Sequence, residues 1–255
     1  MNSDCVLVDT DGPVRLLTLN RADTLNAFDD DLHREFPLAL ERVEDDPGAR
    51  AIVVTGAGRA FSAGGNVDDF PLLAADLERR RRTLRIGRRL FQALINVHLP
   101  VVAAVNGPAV GLGCTVATAC DIVFISETAF MADPHVTVAL VAGDGGAVTW
   151  PACTSLLKAK QYLLTGDRMS AAEAVAAGLA NFVVPPAELL SSATAFAQRL
   201  ASLPPQAVQD TKMVLNQHLR SAAVTALDYG LAAESQSHDT DEYAQAPLQF
   251  AKRRS

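Results

Sequence analysis

Five short apolar runs constrain this chain more than any other feature: residues 14–19, 52–55, 101–105, 122–125 and 182–184. Each is rich in β-branched residues and is bounded by turn formers or charged residues, which is the pattern of a strand. The stretches between them carry a helical period instead. Leu32, Phe36, Leu40 and Val43 fall on one helix face, opened by the acidic group Asp29–Asp31. Pro37 lies inside that pattern and is expected to interrupt and kink the helix. Ser170 and Glu173 have the spacing of a capping box, and Gly178 is placed to close the short helix that follows. Strands alternating with helices imply an α/β core.

After about residue 188 the strand signals stop. Residues 188–203, 205–219 and 221–235 read as successive helices, with Pro204 and Pro205 between the first two. The expected organisation is therefore a core over 1–190 and a helical region over 191–255. With 49% apolar residues the chain can bury a sizeable core. Its net charge of −7 argues against nucleic acid or an anionic membrane as partner. No run approaches the ~20 apolar residues of a membrane span. The start, MNSDCVLVDTDG, has no basic segment followed by an apolar one, so the expected location is the cytoplasm. Cys5, Cys114, Cys120 and Cys153 form no CxxC pair and are expected to be reduced and mostly buried. The five histidines have no ligand spacing, and no metal is expected.

One charge run stands apart. Residues 78–90, ERRRRTLRIGRRL, hold seven arginines. Leu84, Phe91, Leu94 and Ile95 supply a buried side, which makes the arginines a solvated helix face. The competing reading is an anion-attracting patch beside a cleft. RNA binding is disfavoured, because no aromatic residue interleaves the arginines.

The chemistry is concentrated in two glycine-rich stretches. The first, AVNGPAVGLGCTVATACD (104–121), places Gly107, Gly111 and Gly113 between a strand and a run of small residues. A Walker loop needs a Lys after its glycines, and none follows. A dinucleotide fingerprint needs a third glycine where Val116 stands. What remains is a buried helix whose free N-terminal N–H groups can hold a developing oxyanion. The second stretch, TGAGRAFSAGGNVDDF (55–70), follows the strand at 52–55 with another tight glycine turn.

With these two stretches in view, the chain resembles the crotonase superfamily, the enoyl-CoA hydratase/isomerase family. The matching pieces are NRADTLNAF (20–28), TGAGRAFSAGGNVDD (55–69), PVVAAVNGPAVGLGCTVATACDIVFIS (100–126), AGDGG (142–146) and LLTGDRMSAAEAVAAGLANFVV (163–184). The resemblance implies a spiral of β-β-α repeats with a C-terminal helical trimerisation region, assembled as a trimer or a dimer of trimers. It implies a CoA thioester as substrate, with no cofactor beyond that coenzyme A. It also implies an oxyanion hole formed by the backbone N–H groups of Gly65 and Leu112. The turn Asp23, Thr24, Leu25 and the loop Ala63, Gly65, Asn66, Val67, Asp68 are expected to line the CoA cleft, together with Pro108, Leu112 and Thr115. Asn66 is expected to shape its loop by a local hydrogen bond, and Asp68 and Asp69 read as an acidic pair at a helix N-terminus.

The chain departs from the hydratases at both of their glutamate positions, where it has Thr115 and His135. Threonine can position water but is no acid or base near neutrality. His135 can act as either. Asp144, between Gly143 and Gly145, is the main acid/base candidate, with His135 assisting; its competing role is that of a turn or helix-cap residue. The expected activity is hydration or double-bond isomerisation of an acyl- or enoyl-CoA through an enolate. One base suffices for isomerisation, which favours it on mechanism. Thioester hydrolysis, decarboxylation and a non-catalytic CoA-thioester binder are the alternatives.

Overall fold

The computed structural model describes residues 5–245. β1 (Val6–Asp11) pairs antiparallel with β2 (Val14–Leu19), and Gly12 makes the turn between them at φ +56°, where glycine meets no steric penalty. β1 forms an edge of the sheet, and five of its six residues are exposed; its apolar start at Val6–Val8 gives way to Asp9, Thr10 and Asp11. The helix α1 (Asp30–Glu44) is capped by Asp29, whose Oδ1 accepts the Leu32 N–H at 2.8 Å. It runs through Pro37 without interruption, contrary to the sequence expectation. Phe36, Ala39 and Leu40 around the proline are fully buried, and that packing outweighs the lost backbone hydrogen bond.

β3 (Ala51–Gly56) is buried along its whole length, as suits a parallel strand covered on both faces. It leads through the loop at 57–69 to α2 (Phe70–Ala75) and α3 (Leu77–Asn96). Asp76 caps α3 by accepting N–H groups of Glu78 and Arg79 at 2.9 and 3.0 Å. The arginines of α3 are not simply a solvated face. Arg80 is buried and bidentate to Asp239, Arg79 holds Asp69 at 2.9 Å, and Arg88 holds Asp228 at 2.9 Å.

From here the chain builds two sheets at once. β4 (Val101–Val105) enters the large sheet, β5 (Ala109–Val110) the small one, and α4 (Leu112–Ala119) closes the turn. β6 (Ile122–Ser126) and β7 (Phe130–Ala132) repeat the alternation, followed by α5 (Gly146–Cys153) and α6 (Leu156–Thr165). β8 (Arg168–Ser170), α7 (Ala171–Ala177) and β9 (Phe182–Val184) complete it. The large sheet has the order β1-β2-β3-β4-β6-β9, parallel from β2 onward; the small one is β5-β7-β8. This is the expected spiral of β-β-α turns. The Ser170–Glu173 capping box forms reciprocally, and Gly178 ends α7 at φ +92°.

α8 (Leu189–Ala201) lays Leu189, Ala193 and Ala197 on the large sheet, against Val53, Val102 and Phe124. α9 (Pro205–Leu215) and α10 (Gln217–Ser237) meet at Asn216, not after residue 219 as the sequence suggested. The Asn216 side chain donates to the Ile95 carbonyl at 3.0 Å near the end of α3, which fixes the corner there. α10 then packs along α3 and α5. The last residues of the expected helical region, 246–255, lie outside the described residues. Cys5, Cys114 and Cys120 are buried and Cys153 is half-buried. Among the described residues no helix is long and apolar enough to cross a membrane.

Candidate active site

A largely apolar cavity of about 210 Å³ opens between the loop after β3, the start of α4, residues 134–144 and the last turns of α10. Its first wall is built by a buried asparagine. Asn26 Nδ2 donates to the carbonyls of Ala57 and Ala60, both at 2.9 Å, and the Asn26 carbonyl accepts the Ser62 hydroxyl at 2.8 Å. Ser62 Oγ in turn accepts the Gly64 N–H at 3.1 Å. Phe28 then pairs with the loop as a single parallel bridge, donating to Gly64 O at 2.7 Å and accepting from Asn66 N–H at 3.3 Å. That pairing uses the groups on either side of Gly65 and turns the Gly65 N–H away from Phe28.

Gly64 brings this loop against α4. Its φ is +86°, and a Cβ there would lie 2.5 Å from the Val110 carbonyl oxygen and 3.4 Å from the Leu112 nitrogen. α4 starts at Leu112 after Gly111, which has φ +52°, and is buried on every side. Among the described residues neither the Gly65 nor the Leu112 N–H has a protein acceptor, and both residues line the cavity. Two unspent amide donors at the edge of an apolar cleft are what a developing oxyanion requires.

The second wall carries the titratable groups. His135, at the start of the 3-10 turn His135–Val138, stands between two carboxylates. Its Nδ1 makes a very short contact with Asp133 Oδ1, and its Nε2 lies 3.3 Å from Asp144 Oδ2. Thr115, one turn into α4, donates to Asp144 Oδ1 at 3.3 Å. The glycines of AGDGG make this arrangement possible. A Cβ on Gly145, whose φ is +123°, would lie 2.6 Å from Thr115 Cγ2 and 2.8 Å from Phe91 Cδ2. A Cβ on Gly146 would collide with Asp133 Oδ2, and one on Gly143 with the Gly230 carbonyl of α10. The N-cap position of α5 belongs to Gly145, which has no side chain, and Asp144 just before it accepts the N–H of Gly146, the first residue of the helix.

Burial opposes the charged forms of His135 and Asp144, and the pairing decides the outcome. For His135 burial favours the neutral ring, but Asp133 and Asp144 outweigh it and hold the pKa well above the usual value. For Asp144 burial is outweighed by His135, the Gly146 N–H and Thr115, so its pKa is lowered. Donor atoms of Asp133, His135 and Asp144 lie within 4.8 Å of one another, close enough to surround a cation. Both imidazole nitrogens are already engaged by the carboxylates, so the positive charge between them is that of the ring itself.

Of the residues expected from the sequence, Ala63, Gly65, Asn66, Val67, Leu112, His135 and Asp144 line the cavity. Thr115 is buried behind it and reaches it through Asp144. Pro108 sits behind the loop, its carbonyl accepting the N–H groups of Phe61 and Ser62 at 3.1 Å. Asp23, Thr24 and Leu25 form a turn outside the lining, joined to the loop by the Ala63 N–H donating to Leu25 O at 2.9 Å. Asp68 lies beyond the lining at the 3-10 turn Val67–Asp69, where Asn66 Oδ1 accepts its N–H at 3.2 Å. Three titratable residues in the lining had no motif to announce them: His33 of α1, and Glu234 and His238 at the end of α10. One signal for Glu234 was available. It extends the stripe Leu227, Gly230, Leu231 at helical spacing, so an acid sits on a buried face.

Fold and site together define an α/β protein that sets a buried histidine–carboxylate cluster beside two backbone amides with no acceptor among the described residues. Residues 9–255 match the enoyl-CoA hydratase/isomerase family, and the chain belongs to it. It is 31% identical to a short-chain-enoyl-CoA hydratase of Clostridium acetobutylicum, over 100% of this chain and 97% of that protein. The crystal structure of an enoyl-CoA hydratase/isomerase from Mycobacterium paratuberculosis superposes with a TM-score of 0.92 at 50% identity, covering 97% of this chain and 98% of that one. A monofunctional enoyl-CoA isomerase from M. smegmatis superposes with a TM-score of 0.73 at 28% identity, covering 88% and 100%. The crotonase architecture expected from the sequence is therefore the one observed.

Proposed function

We propose that the protein is an enzyme acting on an acyl- or enoyl-CoA thioester through an enolate, by hydration or double-bond isomerisation. The observation that carries this is the placing of Asp144, held ionised, in the same cleft as the unbonded N–H groups of Gly65 and Leu112. The thioester oxygen accepts both amides, Asp144 removes the α-proton, and the electron pair moves into the carbonyl oxygen. Each amide is worth ~2.7–4 kcal/mol to such a transition state. Thr115 and His135 stand where the hydratases carry glutamates, so the usual water-handling pair is missing. Isomerisation needs only removal of an α-proton from a 3-enoyl thioester and its return at the γ-carbon, which favours that reaction. The substrate's own coenzyme A is the only cofactor this chemistry needs.

Turnover of a panel of 2-enoyl- and 3-enoyl-CoA thioesters tests the reading. Conversion of either class is expected; tight binding of both with no conversion would make the protein a CoA-thioester binder instead. We also propose assembly into a trimer or a dimer of trimers. Large apolar side chains stand exposed on the helices of one chain, among them Leu157, Val224 and Tyr229. Sedimentation at micromolar concentration should give three or six chains, and a monomer would refute the assignment.

A further inference from the structure

We propose that Glu234 is a second proton-carrying group of this site, delivering a proton to the acyl chain while Asp144 removes one. The inference rests on the enolate reading above and adds to it a residue from the far end of the chain. Its basis is a backbone contact. Gly143 and Gly230 meet face to face, and a Cβ on Gly143 would collide with the Gly230 carbonyl. Gly143 leaves no room for a side chain and a Cβ on Gly230 would lie 3.0 Å from Gly143 Cα, so α10 lies directly on the turn that carries Asp144. Glu234 is one helical turn beyond Gly230 and His238 one further, which puts all three on one face of the helix end. A methyl placed on Gly143 would lie 2.8 Å from Glu234 Oε2. Glu234 is 8% exposed, lines the cavity that Asp144 and His135 line, and its Oε2 has no hydrogen-bond partner among the described residues.

An unpaired carboxylate in that position would be costly, and an apolar residue would pack there at no such cost. The surroundings keep the group protonated. Burial raises its pKa; His135 opposes this, Asp144 and Asp133 add to it, and the result is about 8. From its own helix end the nearest titratable groups are His238, whose Nδ1 contacts the Glu234 carbonyl, and Tyr243. From α3, Arg79 lines the same cavity and is held by Asp69, and Arg80 is committed to Asp239. Two carboxyls in one cleft are thus driven in opposite directions, Asp144 towards the anion and Glu234 towards the acid. Such a divergence separates a base from an acid.

With a 3-enoyl thioester the step balances as follows. The α C–H bond breaks, its proton goes to Asp144, and the electron pair enters the dienolate held by the two amides. The Glu234 O–H bond then breaks as a C–H bond forms at the γ-carbon, leaving the conjugated 2-enoyl product. Proton exchange with solvent returns Asp144 to the anion and Glu234 to the acid, with no net gain or loss.

The test uses hex-3-enoyl-CoA in D₂O with wild type, Glu234→Gln and Asp144→Asn. Two rates are read: deuterium entry at C2 of recovered substrate, which needs only the base and the amides, and formation of the 2-enoyl product. Glu234→Gln is expected to keep C2 exchange within about threefold while product formation falls by about 10²-fold. Wild type should also lose rate as pH rises past about 8, and Glu234→Gln should lack that alkaline limb. Asp144→Asn should lose both rates. If Glu234→Gln forms product at the wild-type rate with the same alkaline limb, Glu234 carries no proton and this inference alone falls. If it loses C2 exchange together with product formation, or does not fold, Glu234 is structural and the inference again falls. A wild-type protein that neither exchanges nor isomerises this substrate overturns this inference, and one that also leaves 2-enoyl-CoA unchanged overturns the enolate reading itself.

Discussion

Replacing Asp144 with asparagine is expected to lower kcat by ~10²–10⁴-fold, the range for losing a general acid or base. Asparagine keeps the size of the side chain and can still accept the Thr115 hydroxyl and the Gly146 N–H, so the 143–145 turn should persist. What it loses is the basic oxygen facing the cleft. His135→Gln should cost less, about 10-fold, because the ring touches the chemistry through Asp144. The pH profile separates the two roles. The lowered pKa of Asp144 means that activity survives acidification through the usual carboxylate range and is lost only as pH falls through the depressed value. Without the imidazolium, burial is no longer offset, so His135→Gln should move that acid limb upward. An Asp144→Asn variant with full kcat, set against an inactive His135→Gln, would make the histidine the base.

How much of this was legible in the sequence depends on where each signal resides. The parallel strands at 51–56 and 101–105 are buried on both faces, so they read as unbroken apolar runs. The capping box depends only on residues three apart and formed as read, and the acidic group Asp29–Asp31 does open α1, with Asp29 as its cap. β5, β7 and β8 hold two or three residues each and, unlike the equally short β9 with its Val183 and Val184, carry no β-branched run, so their sheet was invisible. Pro37 misled because local preference was read without the packing around Phe36 and Leu40. At the site, the glycines of the two stretches were legible as tight turns that expose backbone N–H groups, whereas the close approaches at Gly64, and at Gly145 and Gly146 of AGDGG, each of which forbids a Cβ, were not. Asp144 and His135 were legible as a main acid/base and its assistant, but nothing in their spacing says that the ring bridges Asp133 and Asp144. Glu234 lies 90 positions beyond Asp144. The contact that brings it back is between Gly143 and Gly230, which no local pattern reports.

The oxyanion assignment makes a prediction of comparable size. Gly65→Pro should lower kcat by ~10²–10³-fold, the usual consequence of deleting one oxyanion donor. Proline removes the Gly65 N–H, and that group has no acceptor within the described residues, so no internal hydrogen bond is broken. A Cβ at this position meets nothing within 4 Å, and Gly65 is not among the residues with positive φ. The preceding residue is Gly64, which has no Cβ to clash with a proline ring. The loop itself is held by Asn26, Ser62 and the Phe28 bridge, none of which uses the Gly65 amide. Gly65→Ala is the matched control. It adds the same first carbon, keeps the N–H, and should stay within about threefold of wild type. The loss in the proline variant should fall on kcat more than on KM, because the thioester oxygen gains its charge only in the transition state. If Gly65→Ala is as impaired as Gly65→Pro, the loop's shape rather than its hydrogen bond is at fault. A folded Gly65→Pro enzyme with normal kcat would leave the enolate without its first donor and remove Gly65 from the mechanism.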